Sequence, residues 1–393
     1  MAIGKGVYYL FGWPIAGDGR WEGSGAMHIG IDARLLHYRQ AGISRYTLQL
    51  VKGLARIESD DEYTLLQSVR ARQPIIKHDR FTHRKVITPA HHRLEQLIFP
   101  FELSPLKLDV LHSPDFIPPF RAKCRSVITI HDLNFLLFPH FLTKDSARYY
   151  GQIDQAVRRS DAIIAVSKAT KADIIRLLGV PETKVRVIYE AASPTFRQLN
   201  DPDLERQVQR RFGVRTDFML FVSTIEPRKN VPTLLRAFRQ FLDDYRLDVQ
   251  LVLAGQKGWL FEEVFDLVTE LDLEEHTIFA GRVSSEELLW LYNVAKALVA
   301  PSIYEGFGLT PLEAMACGTP VIVANTSSLP EVVGDAGIKI DPYKADEIAV
   351  AMWRVLTDSE LRQSLIEKGL KRAAYFSWDK AAQETSELYH SLT

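Results

Sequence analysis

The sequence predicts an α/β protein built from two doubly wound, Rossmann-like domains, each a parallel sheet wrapped by helices, that face each other across a cleft. Three observations predict it. From Met27 onward, short β-branched runs alternate with longer stretches of helical pattern. A chain of 393 residues exceeds what one hydrophobic core covers, so two domains of somewhat under ~200 residues each are expected. A polar stretch with two prolines, SPTFRQLNDPD (193 to 203), divides the rhythm in two and reads as the linker.

The first half offers the strands HIGIDA (28 to 33), YTLLQSV (63 to 69), KVIT (85 to 88), DVLHS (109 to 113), SVITIHD (126 to 132), DAIIAVS (161 to 167) and VRVIYEA (185 to 191). The second half repeats the pattern with FMLFVST (218 to 224), VQLVLAG (249 to 255), TIFAG (277 to 281), ALVAPS (297 to 302), PVIVAN (320 to 325) and GIKID (337 to 341). Ligands of such sheets bind outside the carboxyl ends of the strands. The informative residues are therefore His131 and Asp132, Ser167, Glu226 to Asn230, Gly255, Gly281, and Tyr304 to Gly308. Together they predict a single cleft between the domains.

Composition excludes several classes. With 48 Lys and Arg against 49 Asp and Glu, nothing in the overall charge favours a nucleic-acid partner. The two cysteines, Cys124 and Cys317, have no CxxC partner, so neither a disulfide framework nor a structural zinc site is indicated, and a reducing cytoplasm is the expected compartment. Cys317 reads as a packing residue. No run of about 18 apolar residues is present to span a membrane. Residues 1 to 26 read as a disordered extension or an upstream start, with the folded chain beginning near Met27; as a secretory signal the stretch is poorly formed. Its GDGRWEG is no dinucleotide fingerprint, because no strand leads into it and the third glycine is missing.

Two stretches carry chemistry. In YEGFGLTPLEAMACGTPVI (304 to 322), Thr310 suits an N-cap and Pro311 the first helical position, which predicts a helix whose first turn carries Glu313. The Gly306-Phe307-Gly308 turn ahead of it would expose backbone N–H groups beside the positive end of the helix dipole. Glu305 and Glu313 beside such a cradle would accept hydrogen bonds from a polyhydroxylated ligand; the alternative is a loop followed by an acid that merely satisfies the dipole. In TIEPRKN (224 to 230), Arg228 and Lys229 precede a helix opening near Asn230 or Val231 and would hold a diphosphate, or else form a solvated pair. His131, at a strand end, either faces the crevice or is a hydrogen-bonded structural histidine.

TIEPRKN, YEGFGLTPLEAMACGTPVI and HDLNF together resemble the donor-site signatures of glycosyltransferase family 4, retaining enzymes of the GT-B fold. GIDARLLHYRQAGISRYTLQL is similar to the family's first strand, loop and helix, VSKATKADI to its strand and helix before the linker, and FSWDKAAQETSELY (376 to 389) to its closing helix. The resemblance implies an acceptor domain over 27–195, a donor domain over 196–375, and a terminal helix, 376–393, crossing back onto the first domain. It implies that Glu305 meets the transferred sugar near its 3-hydroxyl, that the N–H groups of Gly306, Phe307, Gly308, Leu309 and Thr310 contact sugar and phosphate, and that Glu313 binds the ribose. Arg228 and Lys229 would neutralise the diphosphate, so no metal and no cofactor are implied beyond a nucleotide-diphosphate sugar as co-substrate. His131 would lie by the reacting centre, and Gly42, with Ser44 and Arg45, at the mouth where acceptor and phosphate meet. Many members carry an arginine where this chain has Thr224, so Arg228 supplies the second positive charge, as in the EPRKN subset that often uses GDP-mannose. The implied activity is hexosyl transfer to a glycan or lipid-linked acceptor. Another enzyme of the same architecture, such as a nucleotide-sugar epimerase, and a non-catalytic nucleotide-sugar-binding protein are the alternatives.

Residues 70 to 93 carry seven Lys or Arg and four His against a single Asp, followed by the apolar LEQLIFPF. Such a segment either lies against an anionic membrane surface, placing the protein peripherally on the inner face, or is a basic solvent loop.

Overall fold

The computed structural model describes residues 25–38, 42–139, 148–215, 217–256, 258 and 261–393. The extension expected over 1–26 lies outside them except for its last two residues. The described residues form two fully parallel sheets. In the first, β1 (His28–Asp32), β2 (Glu62–Ser68), β3 (Phe81–Val86), β4 (Val110–Ser113), β5 (Arg125–Ile130), β6 (Ala162–Ala165) and β7 (Val185–Val187) lie in the order β3-β2-β1-β4-β5-β6-β7. In the second, β8 (Phe218–Val222), β9 (Gln250–Ala254), β10 (Thr277–Gly281), β11 (Ala297–Ala300), β12 (Val321–Ala324) and β13 (Ile338–Ile340) lie in the order β10-β9-β8-β11-β12-β13.

Each predicted strand is found, because the central strands are covered on both faces by helices and read as unbroken apolar runs, while the edge strands β7, β10 and β13 are only partly buried. The exception in placement is β3, expected over 85 to 88 and observed at Phe81–Val86. It is an edge strand, with only Phe81 and Val86 buried and Arg84 and Lys85 exposed. Edge strands carry charges that discourage pairing with other chains, so the apolar pattern was absent there.

Strand order reverses between β1 and β4 in the first sheet and between β8 and β11 in the second. At such switch points the loops leaving adjacent strands diverge and open a crevice. Arg228 and Lys229 follow β8 and Glu305 follows β11, so the second sheet places all three charges on either side of its own switch point.

The helix Gly42–Arg56 buries Tyr46, Leu50, Val51 and Leu54 against the first sheet. It also receives the terminal helix, Trp378–His390, N-capped by Ser377, whose side chain accepts from Asp379 N and Lys380 N. Gly53 makes that docking close: a Cβ there would lie 2.8 Å from both Ala382 Cβ and the Trp378 carbonyl oxygen. Arg56 Nε donates to Asp379 at 2.7 Å. The chain thus ends on its first domain after completing its second. The stretch after β7 is itself anchored: Phe196 is buried against Tyr292, and Leu199 N donates to Asn293 Oδ1 at 2.8 Å.

Candidate active site

After β8 the chain makes one 3-10 turn, Pro227–Lys229, and enters the helix Val231–Tyr245 through Asn230, held left-handed at φ 59°. Asn230 Nδ2 donates to the carbonyls of Pro301 (3.2 Å) and Pro342 (2.6 Å), and Ile303 N donates to Arg228 O at 2.8 Å. These bonds lock the turn against the loop that follows β11. Lys229 is consequently buried, 8% exposed, and donates to Glu305 Oε1. Arg228 Nη1 reaches Glu305 Oε2 at 3.2 Å, while its Nε lies 2.6 Å from Glu226 without an aligned hydrogen bond. Burial pushes the Glu305 carboxyl up, but Lys229 and Arg228 outweigh it and hold the group down at about 2. The site therefore presents two cations, Arg228 and Lys229, balanced by the carboxylates of Glu305 and Glu226.

The loop beyond Glu305 is pinned from both domains. Ser327 Oγ accepts from Glu305 N at 2.9 Å, and Ser328 Oγ donates to Glu305 O and Phe307 O at 2.9 and 2.7 Å. From the first domain, Ser167 and Thr170 donate to Gly306 O at 2.7 and 3.0 Å. Gly306 presses on the His131 carbonyl so closely that a Cβ there would lie 1.8 Å from its oxygen. Among the described residues, no backbone hydrogen bond is donated by the N–H groups of Gly306, Phe307 or Gly308.

The helix behind the turn differs from expectation. It spans Leu309–Ala316 with Gly308 as N-cap at φ 110°, so Thr310 and Pro311 are its second and third residues rather than cap and start. Glycine alone takes that backbone without strain, and it turns the chain into the helix two residues early. Glu313 then falls in the second turn and is buried, 3% exposed. Tyr292 OH donates to its Oε2 at 3.1 Å, and Arg45 of the first domain lies 3.6 Å from its Oε1. Burial dominates here and pushes the carboxyl up to about 7, against the pull of Arg45 and Tyr292.

His131 follows β5 as expected, but its ring is spoken for: Nδ1 meets Glu190 Oε1 at 2.8 Å and Nε2 the Pro114 carbonyl at 2.9 Å. Burial opposes a charge on the ring, but Glu190 and Pro114 raise it on balance, so the imidazolium is favoured. The face His131 turns to the second domain is its backbone carbonyl. Gly42 opens its helix from an exposed position, Ser44 Oγ donates back to Leu35 O at 3.1 Å, and Thr224 is exposed.

Sequence reasoning missed three participants, and placed a fourth, Tyr304, at its strand end without a partner. Glu190 ended a recognised strand without a role, because its partner is 59 residues away in sequence. Tyr304 OH donates to Asp173 at 2.9 Å. Asp115 accepts from His91 Nε2 at 2.6 Å and from Tyr149 OH at 3.1 Å. Glu331 accepts from Lys168 N at 3.0 Å and from Tyr189 OH at 2.6 Å, clamping the two domains beside a cavity of about 690 Å³ that backs onto the Glu305 loop through Ser327. Only Ser167, three residues before Thr170 at a helix start, left a capping signal in the sequence.

Residues 41–195 match the family model described as Glycosyltransferase Family 4, and residues 205–372 match that for Glycosyl transferases group 1. The chain is similar to O-antigen chain mannosyltransferase B of Escherichia coli, 31% identical over 373 residues that make up 91% of this chain and 98% of the relative. The chain belongs to glycosyltransferase family 4. A longer relative, the serotype-specific mannosyltransferase WbdA of Escherichia coli, is 30% identical over 70% of this chain and 34% of its own length. Among solved structures, sucrose-phosphate synthase from Thermosynechococcus elongatus superposes with a TM-score of 0.75 at 21% identity, covering 93% of this chain and 99% of that one. HepE of Anabaena, solved with UDP and glucose, gives 0.74 at 20% identity over 93% of this chain and 100% of its own. These likenesses establish the GT-B fold. Membership in family 4 makes the chain a hexosyltransferase and implies a nucleotide-sugar donor and a glycan acceptor.

Two expectations follow from this geometry. Gly306→Ala places a methyl against the His131 carbonyl, so it should leave both domains folded yet keep them apart, lowering turnover by about 100-fold. Small-angle scattering should show a larger radius of gyration, and an unchanged radius with unchanged turnover contradicts the contact. Glu313 carries the second. Its folded value of about 7 exceeds the ordinary 4.5, so the stability it contributes is full below about 4.5 and is lost as pH rises through 7. Glu313→Gln should therefore match the wild type in thermal melting near pH 4.5 and exceed it by on the order of 2 kcal/mol at pH 8; a difference independent of pH contradicts this.

Proposed function

We propose that this family 4 enzyme is a retaining, metal-independent transferase that moves mannose from GDP-mannose to a glycan or lipid-linked acceptor. The observation that carries the reading is the cluster of the buried Lys229 with the half-buried Arg228 and Glu305 beside the N–H groups of Gly306 to Gly308. A diphosphate leaving group needs such positive charge and oriented donors, which a metal ion would otherwise provide. The choice of mannose rests on the EPRKN sequence and on the similarity to relatives named as mannosyltransferases.

In this mechanism Glu305 accepts from a hydroxyl of the transferred hexose while keeping Lys229 and Arg228 aimed at the departing phosphate. The ribose hydroxyls meet Glu313 and donate to its carboxyl, with Arg45 of the first domain 3.6 Å from its Oε1. Retention needs no enzyme nucleophile, because the leaving diphosphate can accept the proton of the incoming hydroxyl on the same face of the sugar. Catalysis is then positioning plus stabilisation of negative charge.

The acceptor side extends the proposal to a membrane surface over residues 70–101. Six of the eleven exposed large hydrophobic side chains among the described residues fall at Val69, Ile87, Leu94, Leu97, Ile98 and Phe101, the last 78% exposed. Arg70, Arg72, Arg84, Lys85 and Arg93 flank them, whereas Arg80 turns inward to the carbonyls of Leu54 and Ile57. Apolar side chains ringed by cations suit the interface of an anionic bilayer, where each cation adds about 1 kcal/mol. No helix among the described residues is long and apolar enough to cross a membrane.

Lys229→Ala and Glu305→Ala should each lower sugar transfer by at least about 100-fold with the fold retained. Near-normal transfer by either variant contradicts the assigned roles. A thermal-shift panel of UDP, GDP, ADP and their sugars should show its largest shift with GDP-mannose, and NMR of the product should show an anomeric configuration matching that of the donor. In sedimentation with vesicles, binding should require phosphatidylglycerol and be lost on Phe101→Asp; equal binding to neutral phosphatidylcholine vesicles contradicts the electrostatic part.

A further inference from the structure

Four buried side chains run from the terminal helix to the cleft, and the mechanism above uses none of them. Tyr389, in the last turn of Trp378–His390, places its hydroxyl 2.6 Å from His112 Nδ1. His112 Nε2 lies 2.8 Å from Thr129 Oγ1, and Thr129 Oγ1 lies 3.2 Å from Tyr46 OH. Tyr389, His112 and Thr129 are 0% exposed and Tyr46 2%. Burial and the neighbouring His131 push His112 down to about 3, so its ring is neutral, with one nitrogen donating and the other accepting. A chain of this kind is satisfied only as a whole: deleting one member strands a buried donor or acceptor.

The far end of the chain touches the reacting edge. Tyr46 meets His131 edge-to-face, ring centroids 4.8 Å apart at 84°, and meets Trp378, the first residue of the terminal helix, at 5.8 Å and 66°. The ionisable groups around His131 are Glu190, which bonds its Nδ1, together with Asp115 and His112. Tyr46 is the uncharged aromatic wall that holds the ring in the plane where both nitrogens reach their acceptors. That plane matters because the carbonyl of the same residue is the surface against which Gly306 closes.

We infer that Tyr46 is a positioning residue for sugar transfer, fixing His131 through the Tyr389–His112–Thr129 chain and Trp378 so that the terminal helix and the closing edge of the first domain move as one body. The terminal helix belongs by connection to the second domain and by packing to the first. A path of hydrogen bonds from it to Tyr46, continued by the ring contact of Tyr46 with His131, ties the relative placement of the domains to the geometry at the cleft.

The test uses the full chain and histidine ring ¹⁵N–¹H correlation spectra, which distinguish a doubly protonated ring from a neutral one. In the wild type at about pH 6, His131, both of whose ring nitrogens face acceptors, should show two protonated nitrogens and His112 the pattern of a single neutral tautomer. Tyr46→Leu should move the His131 signals toward a neutral, averaged ring and lower kcat with GDP-mannose by roughly 10- to 100-fold, with KM for the nucleotide sugar changed by less than about twofold. Tyr46→Phe keeps the ring against His131 but removes the hydroxyl that meets Thr129, so it should recover only part of the rate and move the His131 signals less than Tyr46→Leu does. Leu65→Ala, a cavity in the same core away from His131, should lower the melting temperature while leaving the His131 signals in place. If Tyr46→Leu does not fold, Tyr389→Phe removes a single hydroxyl and should shift His112 and His131 together. His131 signals that stay fixed in both variants, or that move equally in Leu65→Ala, overturn the inference. Absence of GDP-mannose turnover by the wild type overturns the choice of donor instead, and the spectra still decide the role of Tyr46.

Discussion

Lys229 is buried, with Glu305 and Arg228 half-buried beside it, at the switch point of the second sheet, and much of the surrounding structure serves to keep them there. Buried charges are tolerated only when paired, and removing one partner of such a set costs about 3–5 kcal/mol because the others are left uncompensated. The left-handed Asn230, its two bonds to proline carbonyls, and the serine pair Ser327 and Ser328 all fix backbone around these three side chains. The ligand-free site is self-neutralised. In the proposed mechanism an entering diphosphate would exchange one anionic partner for another, and fixed charges that need little reorganisation are those that stabilise a transition state best.

The domains meet through polar contacts that close around this cluster. The carboxylate of Glu331 sits at the positive end of the helix Lys168–Leu178, accepting from Lys168 N and Ala169 N, while Ser167 and Thr170 hold the Gly306 carbonyl. Contacts of this kind contribute modest energies each and can be broken and remade as substrates come and go. The terminal helix is different in character, with Trp378, Ala381, Ala382, Leu388 and Tyr389 buried against the first domain. The molecule thus combines one durable apolar attachment with several reversible polar ones, an arrangement suited to a hinge that returns to the same closed geometry.

The sheets, their parallel character and their crevice were legible because burial on both faces leaves an apolar signature in the central strands, a signature that the exposed edge strand β3 lacks. The residue types at the cleft were legible for the same reason, since strand ends are readable once strands are. Contacts made across the fold left no such trace. That Glu190 would hold His131, that Arg45 would cross from one domain to meet Glu313, and that His112 would join Tyr389 over 277 residues follow from packing, which periodicity does not encode. The helix start was misread because Thr310 and Pro311 form a good local signal, while Gly308 wins by adopting a backbone no other residue takes cheaply.

The central claim is that Lys229 and Arg228 exist to receive the second phosphate of a nucleotide, and calorimetric binding of GDP and GMP tests it most directly. The wild type should prefer GDP by at least about tenfold, an advantage of roughly 1.4 kcal/mol, and Lys229→Ala should bind the two nucleotides nearly alike. A Lys229→Ala protein that keeps the full preference for the diphosphate contradicts the account.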